Sequence, residues 1–305
     1  MLDGGNDVAR HGRDAHLGLE LGDQREGCRA LGGGDHSRGG IVKKWFTPAL
    51  VATAFAAIVI AERKRPLRRR VEPESLRLRR NVAMGGLTAV ITAALQKPLV
   101  DPVLRRTTER RLGLLNIVRL PRPIRFVAGV LLLDYTLWWW HWLNHVAPPL
   151  WRFHLVHHID RDLDASTALR FHFGEMALAA FFRAAQVRFL GVDAEALAWW
   201  QRMLLVSILF HHSNIELTSD ADAQLVRFIV TPRMHGIHHS DREEETQSNW
   251  SSLFTCWDML HRTFVYGVPQ ESITIGVPAW KEPLTTGKLL AIPFEGQRDD
   301  WLGNA

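Results

Sequence analysis

Cysteine is nearly absent. Among 305 residues only Cys28 and Cys256 occur, far apart and in no CxxC pair, which excludes a disulfide framework and thiolate zinc sites. No HExxH occurs, so the usual single-zinc protease arrangement is also excluded, and no GxGxxG marks a dinucleotide fold. The first 40 residues hold no aromatic residue and no apolar h-region, so they do not read as a secretory signal peptide. They do hold eleven of the 23 glycines. So little apolar surface does not offset the entropy of ordering a chain, and residues 1–40 are predicted to be a disordered N-terminal extension. A natural start near Ile41 stays open at this stage.

Against these absences stand 12 tryptophans and 15 histidines, with 12 of the histidines between His141 and His261. The charge is basic, 37 Lys and Arg against 32 Asp and Glu, and its layout matters more than its sum. Residues 62–80 carry nine Lys or Arg and three Glu between apolar runs, and Arg105, Arg106, Arg110 and Arg111 follow the next run. Basic blocks flanking hydrophobic segments mark cytoplasmic membrane loops. A solvated basic face for nucleic acid is the alternative, but no recognition motif accompanies it, so no nucleic-acid partner is expected.

Residues 45–61 are uncharged and flanked by Lys43-Lys44 and Arg63-Lys64-Arg65, at the lower length limit for a spanning helix. Residues 82–96 form a second run, ended by Lys97-Pro98. Together they predict a helical hairpin with its basic connection in the cytoplasm; two buried helices of a soluble bundle are the alternative. Residues 126–143 are apolar but interrupted by Asp134, with Trp138, Trp139, Trp140 and Trp142 at the far end, where indoles suit a bilayer interface. Two further runs, 176–190 and 196–210, are broken by Arg183, Arg188, Gln201 and Arg202 and read as interfacial or re-entrant helices.

The histidines fall into patterns: His141-Trp-Leu-Asn-His145, His154-Leu-Val-His157-His158, His211-His212-Ser213-Asn214, and His235-Gly-Ile-His238-His239. On a helix, residues three and four apart share a face, so HxxxH and HxxHH each present imidazoles side by side. Neutral imidazole suits Fe, Zn, Cu and Ni. About nine such ligands exceed the three or four protein ligands usual for one ion, so two metals is the economical count. Soluble di-iron bundles rely on Glu and ExxH, whereas imidazoles dominate here. A transporter would place ionisable groups within its spans, whereas these lie at or beyond span ends. A histidine-rich binuclear iron site at the membrane surface remains.

HWLNH, HLVHH and HGIHH, in this order, resemble the fatty acid hydroxylase / sterol desaturase superfamily of integral-membrane di-iron enzymes. The runs LDYTLWWWHWLNH, LWRFHLVHHIDRDLDASTALRFHFGE, FHHSN and TPRMHGIHHS followed by Trp257-Asp258 extend the resemblance over roughly residues 60–265. It implies a non-haem centre of two iron ions, O₂ as co-substrate, and hydroxylation or desaturation of a lipid with external electrons from a ferredoxin-like or cytochrome-type donor. By motif, the implied ligands are His141, His145, His154, His157, His158, His235, His238 and His239, with His212 a ninth. His172, in RFHFGE, stands between ligand and supporting group; His211 stands between ligand and a neighbour without a metal bond, and His261 is read as a structural or supporting group.

Groups that would fix imidazole tautomers are sought among Asp134, Asp160, Asp164, Glu175, Asn214, Asp241 and Asn249. Asp134 and Asn214 are singled out as catalytic supports. The expected fold is all-α, an integral-membrane helical bundle with a cytosolic histidine-rich helical cap. It comprises residues 41–265 followed by a C-terminal tail, 266–305, and the composition points to a bacterial inner membrane. A non-catalytic metal- or haem-binding membrane protein, or a soluble metal-dependent hydrolase, are the alternatives.

Overall fold

Residues 52–64 form helix α1, the first element of the computed structural model, which describes residues 52–301. The expected extension 1–40 and the first part of the apolar run 45–61 lie outside the described residues. Helix α2 (Glu74–Leu95) runs on through a π-turn, Gln96–Val100, into α3 (Asp101–Glu109). Pro98 sits in that turn; a proline has no N–H to bond back along a helix, and the local widening accommodates it. The short α4 (Leu114–Ile117) follows.

Helix α5 (Arg122–Val146) starts with Pro123 in its first turn, where the missing N–H costs nothing. It stops at Ala147, which is extended, because the residue before a proline is disfavoured in the helical region. Pro148 and Pro149 then open α6 (Pro148–His158). Helices α7 (Phe173–Leu190) and α8 (Ala194–His211) follow, joined by a short turn. Gly191, at φ 74°, ends α7, and Asp193 caps α8 by accepting from the Ala196 N–H. Gly191 lies against Gly113, at φ 91°, so closely that a Cβ on either would overlap the other's backbone. This contact pins the loop before α4 to the α7–α8 turn.

Short helices complete the chain: α9 (Ser219–Leu225), α10 (Pro232–His238), α11 (Glu243–Thr246), α12 (Cys256–His261) and α13 (Thr286–Ala291). No strand occurs among the described residues; antiparallel bridges such as Ile229–Phe254 are isolated.

One core joins α5, α7 and α8 around Leu133, Val187 and Trp200, with Val100 and Leu115 from the first segment. A second packs Leu155, Val156 and Ile159 of α6 against Trp280, Leu284, Leu289 and Ile292. Residues 266–301 are thus bound onto the helix that carries the first HxxHH.

Among the described residues one helical run, Glu74–Ile117, is long and apolar enough to cross a membrane. The other runs expected to enter the bilayer are helical, within α5, α7 and α8, but are not marked out in this way. Val82, Val90, Ile124, Val127, Phe181 and Phe189 are each more than half exposed.

The basic stretch 62–80, from the end of α1 to the first turns of α2, turns part of its charge inward. Arg77 is 1% exposed and donates to Asp160 at 3.0 Å, to Asp164, and to Thr167 at 3.0 Å. Arg170 donates to the same Asp160 oxygen, Oδ1, at 3.3 Å. Asp162 accepts the Val71 and Glu72 N–H groups at 2.7 and 2.8 Å. Glu62 accepts from the Ala165 and Asn214 N–H groups, each at 3.0 Å. These bonds stitch the loop to the ends of α6 and α8. Removing one partner of such a buried pair strands the other's charge.

Candidate metal centre

Four chain segments deliver histidines to one place. His141 and His145 occupy the last turns of α5, and His154, His157 and His158 the end of α6. His211 and His212 close α8; His235, His238 and His239 lie on and just after α10, which Thr231 caps. All but His141 are at most 6% exposed.

The imidazoles sort into two groups. Ligand nitrogens of His141, His145, His154, His158 and His238 lie within 4.8 Å of one another, as do those of His157, His212, His235 and His239. The groups adjoin, with the His158 and His239 rings stacked at 4.3 Å.

Proton bookkeeping shows what the groups are built for. His141 Nδ1 lies 2.7 Å from the Trp250 carbonyl, and His238 Nδ1 lies 2.7 Å from the Ser248 carbonyl. A carbonyl only accepts, so each Nδ1 carries the proton and each Nε2 an unshared pair. Yet these two Nε2 atoms face each other at 3.1 Å. His212 repeats the pattern: Nδ1 donates to the Ile208 carbonyl at 2.8 Å, while Nε2 faces His157 Nε2 and His235 Nε2, each at 3.0 Å. His154 donates Nδ1–H to Glu175 at 3.0 Å and turns Nε2 to His158 Nε2 at 3.2 Å. Between His141 and His238 the two lone pairs converge with no proton between them and repel; a cation between them removes the conflict. Five and four imidazoles fit two first-row transition-metal ions.

The electrostatics agree. Burial, reinforced by neighbouring imidazoles, holds His145, His157, His158, His235 and His239 well below the ordinary histidine value. Burial likewise brings His212 down to about 4 and His238 down to about 3. Neutral imidazole is the metal-binding form.

Other residues singled out in the sequence lie elsewhere. His172 is outside both groups; its Nδ1 accepts the Gly174 N–H at 3.0 Å and caps α7. Asp134 accepts from the Phe254 N–H at 3.1 Å and the Trp257 indole at 2.7 Å, tying α5 to α12. Asn214 pairs with the Arg68 backbone, accepting its N–H and donating to its carbonyl, both at 2.9 Å. Asp160 and Asp164 belong to the arginine network. The His211 ring lies tilted 4.1 Å from that of His235 without joining its donor group, and His261 stacks on Trp138 at 4.0 Å. Of the proposed tautomer-fixing side chains, Glu175 contacts a grouped histidine directly. Sequence reasoning missed the Ser248 and Trp250 carbonyls, because a backbone acceptor leaves no trace in residue identity.

Residues 126–263 match the family described as Fatty acid hydroxylase. Ornithine lipid hydroxylase OlsE of Rhizobium tropici is 28% identical over 158 residues, 52% of this chain and 46% of the relative. Alkylglycerol monooxygenase of Homo sapiens is 22% identical over 179 residues, 59% of this chain and 38% of the relative. A cholesterol 25-hydroxylase-like protein of Danio rerio is 29% identical over 144 residues, 45% and 53% respectively. The chain thus spans about half or less of the length of these relatives. No solved structure gives a significant match. The matched segment contains both HxxHH motifs, the HxxxH and every member of the two imidazole groups; residues 126–263 thus carry a fatty acid hydroxylase domain.

Proposed function

We propose that the protein is a membrane-bound lipid hydroxylase that uses O₂ and externally supplied electrons at a centre of two non-haem irons. The observation that carries this reading is the convergence of Nε2 atoms at 3.0–3.2 Å within two separate imidazole groups, with His141 and His238 both held unprotonated where they face each other. When bound, two irons would supply the oxygen activation needed to break an unactivated C–H bond.

The chain's own residues do the rest. His141, His145, His154, His158 and His238 would hold one ion and His157, His212, His235 and His239 the other. Glu175 and the carbonyls of Ser248, Trp250 and Ile208 keep the Nδ1 protons in place, so that Nε2 stays free to ligate. Trp151, whose ring lies 5.0 Å from His145 and 5.5 Å from His158, shields that side of the centre from water.

The relatives' names, an ornithine lipid hydroxylase, an alkylglycerol monooxygenase and a cholesterol hydroxylase-like protein, support a long, apolar lipid substrate. Hydroxylation is favoured over desaturation by the same names. The run Glu74–Ile117 and the exposed apolar side chains support insertion in a membrane. We place it in a bacterial inner membrane, with the basic loop 62–80 and the histidines on the cytoplasmic side. A ferredoxin-like or cytochrome-type partner would deliver the electrons.

The test is lipid turnover by detergent-purified, iron-loaded protein with a reductase–ferredoxin couple under isotopically labelled dioxygen. A lipid that gains one labelled oxygen atom supports the reading. Full iron occupancy with no oxygen uptake on any lipid extract would favour a non-catalytic metal-binding protein.

A further inference from the structure

The two imidazole groups are supported unequally. In the five-histidine group, His141 and His238 both lean on one short segment, Ser248 to Ser251, through the Trp250 and Ser248 carbonyls. Those carbonyls flank Asn249, which is held at φ 55°, a left-handed conformation that asparagine tolerates better than most residues. In the four-histidine group, the Nδ1 atoms of His157, His235 and His239 are buried with no hydrogen-bond partner among the described residues.

The segment is itself fixed from behind. Asp258, fully buried, accepts the Trp250 N–H and the Ser251 N–H, each at 3.0 Å. It also accepts the Trp138 indole at 2.8 Å and the Thr263 hydroxyl at 2.7 Å. Asn249 donates to the Met234 and Val265 carbonyls at 3.0 and 2.8 Å and accepts the Val265 N–H at 2.8 Å. Asp258 and Asn249 touch no histidine in these bonds, yet they set where two carbonyls point.

We propose that Asp258 and Asn249 are positioning residues for one metal site only, the five-histidine site, acting through the Ser248 and Trp250 carbonyls. This rests on the two-metal reading above. A carboxylate bonded to two successive amide N–H groups fixes the peptide planes, and with them the carbonyl that meets His141. The left-handed Asn249 turns the preceding peptide so that the Ser248 carbonyl meets His238. With both acceptors in place the two Nδ1 protons stay put and both Nε2 lone pairs face inward. Without them the rings exchange tautomers, and the site presents an N–H where a ligand is needed. No comparable segment serves His157, His212, His235 or His239, so the second site keeps its affinity.

The experiment is anaerobic calorimetric titration of the metal-free, full-length protein in detergent with cobalt(II), for the parent, Asp258→Asn and Asn249→Ala. The parent is expected to take up two ions per chain. Each variant is expected to keep one site at parental affinity and to weaken the other 10–100-fold, the usual cost of losing an outer partner of a ligating histidine. If Asp258→Asn fails to fold, Thr263→Val removes just one of the four donors to Asp258 and is read for the same selective loss.

Two unchanged sites in folded variants would overturn the proposal, and so would equal weakening of both sites. Fewer than two ions in the parent would instead overturn the two-metal reading on which it rests.

Discussion

Asp300 Oδ2 accepts the indole N–H of Trp151 at 2.8 Å, across 149 positions of chain, and its other oxygen accepts the Trp280 indole at 2.7 Å. The end of the described chain thereby reaches the aromatic ring that abuts His145 and His158. Replacing Asp300 by alanine leaves two indole N–H groups without their acceptor, one of them on the almost fully buried Trp280. A buried group so stranded costs about 1–3 kcal/mol. The Asp300→Ala protein is therefore expected to unfold at lower temperature and to surrender bound metal to a chelator faster than the parent. An unchanged unfolding temperature and chelation rate would show that Trp151 needs no anchor.

Single ligand removals should divide along the two groups. His145→Ala and His212→Ala take one member from each, and each is expected to lower metal content from about two ions per chain toward about one. His172→Ala removes the α7 cap instead; it should cost about 1 kcal/mol of stability and leave metal content at the parental value. Elemental analysis of the three proteins beside the parent checks all three expectations, and loss of metal in His172→Ala would place that residue back among the ligands.

Acidification should destabilise the metal-free protein. His212 and His238 have folded values of about 4 and about 3 against an ordinary 6.5. Between those values and 6.5 the unfolded chain binds more protons, so stability falls as pH drops through that window and is indifferent to these groups above it. Asp160 works in the same direction at lower pH. Burial alone would raise its carboxyl, but Arg77 and Arg170 bring it below the ordinary carboxylate value, and its contribution disappears on protonation. Thermal midpoints should be flat from pH 8 to about 7 and decline steadily toward pH 4; a midpoint that climbs on acidification would contradict the neutral-histidine arrangement.

The glycine of HGIHH has a tertiary reason. A Cβ on Gly236 would fall on the Arg68 guanidinium, which donates to the Pro232 carbonyl at 3.0 Å and to Gln270. Gly236→Ala should therefore cost about 1–3 kcal/mol, the usual range for overpacking. In an Arg68→Ala background the same substitution should cost clearly less, because the obstructing group is gone. Additive effects in this double-mutant cycle would remove the steric explanation.

Much of this arrangement can be read from residue order. The HxxxH and HxxHH spacings place imidazoles on shared helical faces, and the apolar runs 82–96, 126–143, 176–190 and 196–210 lie in α2, α5, α7 and α8. How the histidines divide into five and four is not legible, because each group draws on distant segments, in the five-histidine group up to 97 residues apart, as in His141 and His238. Asp134 and Asn214 illustrate the limit of proximity. Asp134 lies two turns from His141 along α5, yet its carboxylate turns to Trp257, and Asn214 turns to the Arg68 backbone. Asp258, which the sequence marks only as part of the Trp257-Asp258 run, is buried because four donors converge on it. The arginines of loop 62–80 read as a uniform basic block, although Arg77 is enclosed by carboxylates carried on a later segment.

The central claim is that two metal ions sit in one five-imidazole and one four-imidazole site. Mössbauer spectroscopy with iron-57, alongside elemental analysis of the detergent-purified chain, tests it most directly. About two non-haem irons per chain are expected, antiferromagnetically coupled when oxidised, with two distinguishable iron environments. A single iron, a haem signature, or no metal after anaerobic reconstitution with ferrous iron would contradict it.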